Sequence, residues 1–164
     1  MRNLLAIWRA HGLDALLAEA WERGVVLAGL SAGAMCWFEG GITRSSGPPE
    51  TFAGLGLLPG SLSVHADGEP ERLPAFLQAV RTGALPGGWA VDDGVGLLFV
   101  DAAFVRAVAS RPGAGAVRVD AVDGELVRSR VEPELLGAGP AGMPPPGADV
   151  EELRALLRMR RRAG

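Results

Sequence analysis

Gly24-Val-Val-Leu-Ala-Gly-Leu-Ser31-Ala-Gly-Ala-Met-Cys-Trp-Phe38 is the stretch whose reading decides the fold. Val25 to Leu30 is a short apolar run, of the length expected for a buried strand. It runs into a serine flanked by glycines, and a helix-competent segment follows to about Phe38. Gly29-x-Ser31-x-Gly33 is the pattern of a nucleophile elbow. Small residues on both sides let strand and helix approach closely and hold the hydroxyl out of the turn. Free N–H groups at the start of the helix favour negative charge at the same place. A serine so presented is a poor nucleophile alone, so the rest of the chain must supply a base and a group that orients it.

On the N-terminal side, Met1 to Ala10 reads as an amphipathic helix with Leu4, Leu5, Ile7 and Trp8 on one stripe, stopped by Gly12. Asp14 caps a second helix through Trp21 and Arg23, ended by Gly24. On the C-terminal side, Glu39 to Gly60 reads as loop-rich, with Gly40-Gly41 and Ser45-Ser-Gly-Pro-Pro49. Ser61 to Ala66 reads as the next strand, with His65 at its C-terminal end, and Glu69-Pro-Glu-Arg72 opens a helix to about Thr82. Gly87 to Asp93 is a strand entering an acidic turn at Gly94, and Val95 to Val100 is another. Segments 103–110, 116–121 and 125–130 read as a meander whose best hairpin signal is Asp123-Gly124. This rhythm predicts an α/β fold of three layers with a mainly parallel sheet. Residues 1–139 form its domain, 140–148 a Pro/Gly linker and 149–164 a terminal helix capped by Asp149.

Composition narrows the function classes. The 164 residues allow one core, and 48% hydrophobic with 21% charged residues is the profile of a soluble globular protein. No apolar run reaches bilayer length and the N-terminus lacks a signal-peptide layout, so a cytoplasmic protein without a membrane partner is expected. A net charge of −3 gives no general basic field for nucleic acid, and Arg158, Arg160, Arg161 and Arg162 read as a solvated helix end. The single Cys36 excludes an internal disulfide and reads as a small core residue, and His11 reads as a surface group at a helix C-terminus. All 16 basic residues are arginine, which removes Ser–Lys chemistry. No CxxC or HExxH spacing occurs, so neither metal nor cofactor is expected.

Of the two histidines, only His65 lies downstream of Ser31. It ends a strand, where sites of α/β sheets assemble. Asp92 or Asp93, again at a strand end, can orient it. The order is serine, histidine, acid. The common α/β-hydrolase order of serine, acid, histidine would require Glu39 or Glu50, neither of which follows a convincing strand.

Four stretches then resemble one family: Gly29-Leu-Ser-Ala-Gly-Ala-Met-Cys-Trp-Phe38, Leu57-Leu-Pro-Gly-Ser-Leu-Ser-Val-His65, Glu69-Pro-Glu-Arg72 and Ala90-Val-Asp-Asp-Gly94. In that order they look like the peptidase E family of serine peptidases, aspartyl dipeptidases related to cyanophycinase, from residue 3 to about 130. The resemblance implies a flavodoxin-like or class I glutamine-amidotransferase-like fold. It places the nucleophile at Ser31, the base at His65, and the acid, usually glutamate in the family, at Asp93, with Asp92 as the substitute. It also implies an oxyanion N–H at Ala32 and a role for Arg72 in recognising an acidic substrate side chain.

Family members carry further strands upstream and a Gly-Gly-Asn-Thr-like turn that gives a second oxyanion N–H, so the sequence reads as lacking N-terminal strands. Losing one such donor costs about 3–4 kcal/mol of transition-state stabilisation, and an exposed sheet edge fits a homodimer. The function expected is hydrolysis of short peptides, those with N-terminal aspartate among them. The alternatives are an impaired paralogue acting as an interaction protein, and a general esterase.

Overall fold

The computed structural model describes residues 1–137. The linker and terminal helix expected at 140–148 and 149–164 lie outside the described residues. Two helices open the chain, α1 (Arg2–Ala10) and α2 (Leu13–Glu22), followed by the short helix α3 (Ala32–Met35). Strands β1 (Phe38–Thr43), β2 (Glu50–Ala53) and β3 (Leu58–Ser63) precede helix α4 (Arg72–Arg81). Then come β4 (Gly88–Val91), β5 (Val95–Val100), β6 (Ala103–Ala109), β7 (Ala116–Val122), β8 (Glu125–Val131) and β9 (Glu134–Leu135).

Six strands form the main sheet in the order β2-β1-β3-β4-β7-β8, and β5-β6-β9 form a smaller one. The fold is α/β, but the main sheet is mixed. β1–β3 and β3–β4 are parallel, whereas β1–β2, β4–β7 and β7–β8 are antiparallel. The expectation of a mainly parallel sheet is corrected on this point. For the last pair the cause is local: β7 and β8 are joined by the two-residue turn Asp123-Gly124, both at positive φ, and a hairpin so tight can only be antiparallel.

Alternation along β4 shows how the sheet is covered. Trp89 and Val91 point into a core that includes Leu5, Met35, Cys36 and Phe38, while Ala90 points into the other core with Ile42, Phe76, Val80 and Val119. The first core is closed by α1, α3 and the aromatic residues of the small sheet. Phe99 and Phe104 meet Trp89 at ring-centroid distances of 6.5 and 4.4 Å. The second core is closed by α4, whose Phe76 and Val80 are buried. Pro74 sits in the first turn of that helix, where its missing N–H costs nothing.

Two expectations around the quoted stretch fail. Val25 to Gly29 adopt no regular structure, and Val26 and Leu30 are each 90% exposed. A strand needs a neighbour to satisfy its N–H and C=O groups, and among the described residues none pairs with this run. The helix after Ser31 ends at Met35 rather than Phe38, and β1 runs to Thr43 where loop was expected from Glu39 onward. The glycine pair that suggested a loop is there for contact. A Cβ on Gly41 would lie 2.3 Å from the Leu62 carbonyl oxygen, so only glycine lets β1 lie between β2 and β3.

Candidate active site

Ser31 sits at φ 49° and ψ −114°, a conformation that costs an L-residue about 1–3 kcal/mol and persists only when its surroundings impose it. What imposes it is the return of the chain on itself. The Gly33 N–H donates to the Leu30 carbonyl at 2.8 Å, and the Ala34 and Met35 N–H groups donate to the Ser31 carbonyl. Gly29 is required here, since a Cβ would lie 1.9 Å from the Gly33 carbonyl oxygen. Gly33 is not, because a Cβ there would meet nothing within 4 Å. Only the first glycine of the motif is therefore demanded by close approach. The Ala32 N–H takes no part in these turn hydrogen bonds.

The sharp turn aims the hydroxyl at the end of β3. Ser31 Oγ lies 2.9 Å from His65 Nε2. Two residues past the end of β3, His65 adopts φ 59°, which ends the extended chain and turns its ring across the sheet end. Its other nitrogen, Nδ1, is hydrogen-bonded to Asp93 Oδ1. A carboxylate only accepts, so Nδ1 carries the proton and Nε2 is left to accept from the serine hydroxyl. Asp93 follows β4, and its side chain is 55% exposed.

The structure thus brings together Ser31, His65 and Asp93 from three neighbouring turns. It separates Asp92 from them: the Asp92 Oδ2 atom accepts the Gly115 N–H at 2.8 Å. Glu39 and Glu50 are also engaged elsewhere, by the Gly60 N–H at 2.6 Å and the Arg2 guanidinium at 2.9 Å.

Arg72, expected to contact an acidic substrate, is engaged by the protein's own groups. It is 5% exposed, donates to the Ile42 carbonyl at 2.9 Å, and grips both Glu69 carboxylate oxygens at 3.0–3.1 Å. Its guanidinium joins the end of β1 to the start of α4. Cys36, one helical turn beyond Ser31, is fully buried with Sγ 3.2 Å from the Gly33 carbonyl, and burial pushes its thiol up to about 11. It is a core residue without thiolate character at neutral pH.

Two residues absent from the sequence reading complete the surroundings. Asp67 Oδ1 accepts the Asp93 N–H at 2.8 Å, and Arg111 Nε donates to the Asp93 carbonyl at 2.9 Å while its Nη2 pairs with Asp67. The Asp93 N–H, with the Arg111 guanidinium adding to it, holds the Asp67 carboxyl below its ordinary value of 3.8. Asp67 stands two residues after His65, but Arg111 is 44 residues further on and no local pattern links them.

Comparison with known proteins fits this geometry. The profile of peptidase family S51 matches residues 1–106, a segment that holds Ser31, His65 and Asp93. The chain belongs to peptidase family S51. Over 136 residues it is 46% identical to an uncharacterized peptidase, YgaJ, of Bacillus subtilis (strain 168), an alignment covering 83% of this chain and 59% of that protein. The S51 chain described here thus spans about three fifths of that relative's length. Among its described residues, no helix is long and apolar enough to cross a membrane.

Proposed function

We propose that this S51 chain carries the machinery of a serine peptidase acting on short peptides, those with N-terminal aspartate among them. The observation that carries the reading is the strained Ser31, whose Oγ lies 2.9 Å from His65 Nε2 while Nδ1 is held by Asp93. Family membership and the relative's name as a peptidase support it.

In this mechanism Ser31 Oγ attacks the scissile carbonyl carbon as its proton passes to His65 Nε2. Asp93 keeps the ring in the required tautomer and stabilises the imidazolium that forms. The Ala32 N–H donates to the carbonyl oxygen as negative charge develops on it. One such donor is worth about 3–4 kcal/mol in the transition state. Nε2 then gives its proton to the leaving amine, the C–N bond breaks, and an ester to Ser31 remains. Water, losing a proton to the same nitrogen, attacks the ester and returns the acid and the free hydroxyl. The reading takes the domain as flavodoxin-like.

The exposed Val26 and Leu30 beside the elbow favour a second reading, a chain that keeps the fold and serves as an interaction protein without turnover. Aspartyl dipeptide hydrolysis by wild type and Ser31→Ala separates the two. The peptidase reading predicts release of free aspartate that falls at least ~10³-fold in the variant. Equal rates would sink it.

A further inference from the structure

We propose that Asp67 and Arg111 are a positioning pair that sets the Asp93 carboxylate against His65. The inference rests on the peptidase reading and adds to it the groups that make the His65–Asp93 contact reproducible.

Asp93 lies on an exposed turn after β4, and its side chain is committed to His65. Its two flanking peptide groups are held from outside. Asp67 accepts its N–H at 2.8 Å, and Arg111 Nε donates to its carbonyl at 2.9 Å. Arg111 and Asp67 are bonded to each other, so the two contacts close into a ring around the Asp93 backbone. The same turn is tied further along by the Ser110 N–H, which donates to the Gly94 carbonyl at 2.8 Å.

Asp67 also belongs to the turn that begins at His65, where the Glu69 N–H donates to the His65 carbonyl at 3.0 Å. One carboxylate therefore couples the base's turn to the acid's turn, and the guanidinium that completes it arrives from beyond β6, in the smaller sheet. Arg111 and Asp67 keep 46% and 35% of their side-chain surface in water. An ion pair so exposed adds little to global stability. Its geometry, a carboxylate and a guanidinium both bonded to one residue's backbone, suits placement. Proton transfer through His65 is sensitive to displacements of the order of an ångström, which can cost about 10²-fold in rate.

The test uses the intact chain and a small fluorophosphonate, which reports Ser31 activation without requiring the natural substrate. Its labelling is resolved into the initial binding constant and the maximal rate for wild type, Ser31→Ala, Asp67→Ala, Asp67→Asn, Arg111→Ala and the Asp67→Ala/Arg111→Ala double variant. Thermal melts are run alongside. For a positioning pair, each alanine variant loses about 10–100-fold in maximal rate with binding changed less than ~2-fold.

The double variant then loses no more than the worse single one, because either substitution opens the ring. Asp67→Asn, which can still accept the Asp93 N–H, recovers part of the loss. The imidazole Nδ1–H resonance moves or broadens in the alanine variants while the melting temperature falls by no more than about 2–4 °C. Full-rate labelling of Asp67→Ala beside an inert Ser31→Ala overturns the pair alone, as does a rate loss that merely follows a lowered melting temperature. Undiminished labelling of Ser31→Ala overturns the peptidase reading and the pair with it.

Discussion

At the scale of single residues, the two adjacent aspartates differ in their partners. Asp93 faces His65 Nδ1, whereas Asp92 is closed off by the Gly115 backbone. Asp93→Asn replaces one carboxylate oxygen with a donor and lets the imidazole settle in the wrong tautomer. Peptide hydrolysis is expected to fall on the order of 10³–10⁴-fold. Asp92→Asn keeps an oxygen for the Gly115 N–H, and its rate is expected to stay within about threefold of wild type. Steady-state rates of the two variants on one aspartyl dipeptide check the division, and a reversed order would reassign the acid. The contact between Ser31 and His65 was legible in sequence because Gly29 marks the sharp turn and because one histidine lies downstream. Asp67 and Arg111 were not, since their roles consist of contacts to another residue's backbone.

At the scale of elements, Arg72 shows what a buried charge does for this fold. It joins β1 to α4 through the Ile42 carbonyl and Glu69, and Glu69 keeps 29% of its side-chain surface in water. Arg72→Met removes the donor shared by both partners, while Arg44 stays 3.6 Å from Glu69. The expected loss is roughly 2–3 kcal/mol, less than the ~3–5 for breaking a fully buried pair because water can reach Glu69. Urea unfolding checks this, and a loss below about 0.5 kcal/mol would contradict a structural role for these contacts. Helices α1, α2 and α4 were readable because apolar spacing and terminal glycines act locally. β1 was hidden because Gly40 and Gly41 look like loop residues, and only the neighbouring strands show why a side chain is excluded. The run from Val25 to Leu30 failed in the opposite sense. Its composition is that of a strand, but a strand is completed by a partner, which a sequence window does not contain.

At the scale of the whole molecule, cores on both faces of the main sheet hold the ends of β3 and β4 side by side, and His65 and Asp93 meet because those strands are parallel neighbours. The α/β class was legible from alternating helices and strands, and the Asp123-Gly124 turn signalled the β7–β8 hairpin, but the antiparallel β1–β2 and β4–β7 pairings had no local signal. Stability should carry a trace of the site. Asp67 has its folded value depressed below the ordinary 3.8, chiefly by the Asp93 N–H and also by Arg111. It therefore stabilises the fold above the unfolded value and ceases to do so as pH falls through the folded one. Wild type should slightly exceed Asp67→Asn in urea midpoint at about pH 6, with the gap closing as pH falls below the ordinary carboxyl value of 3.8. A gap independent of pH would contradict that assignment. The most direct test of the central claim is mass mapping of the intact chain after treatment with a fluorophosphonate. A single adduct on the peptide bearing Ser31, absent from Ser31→Ala and slowed at least ~10²-fold in His65→Ala, is the result predicted. An adduct elsewhere, or none on the wild-type chain, would contradict it.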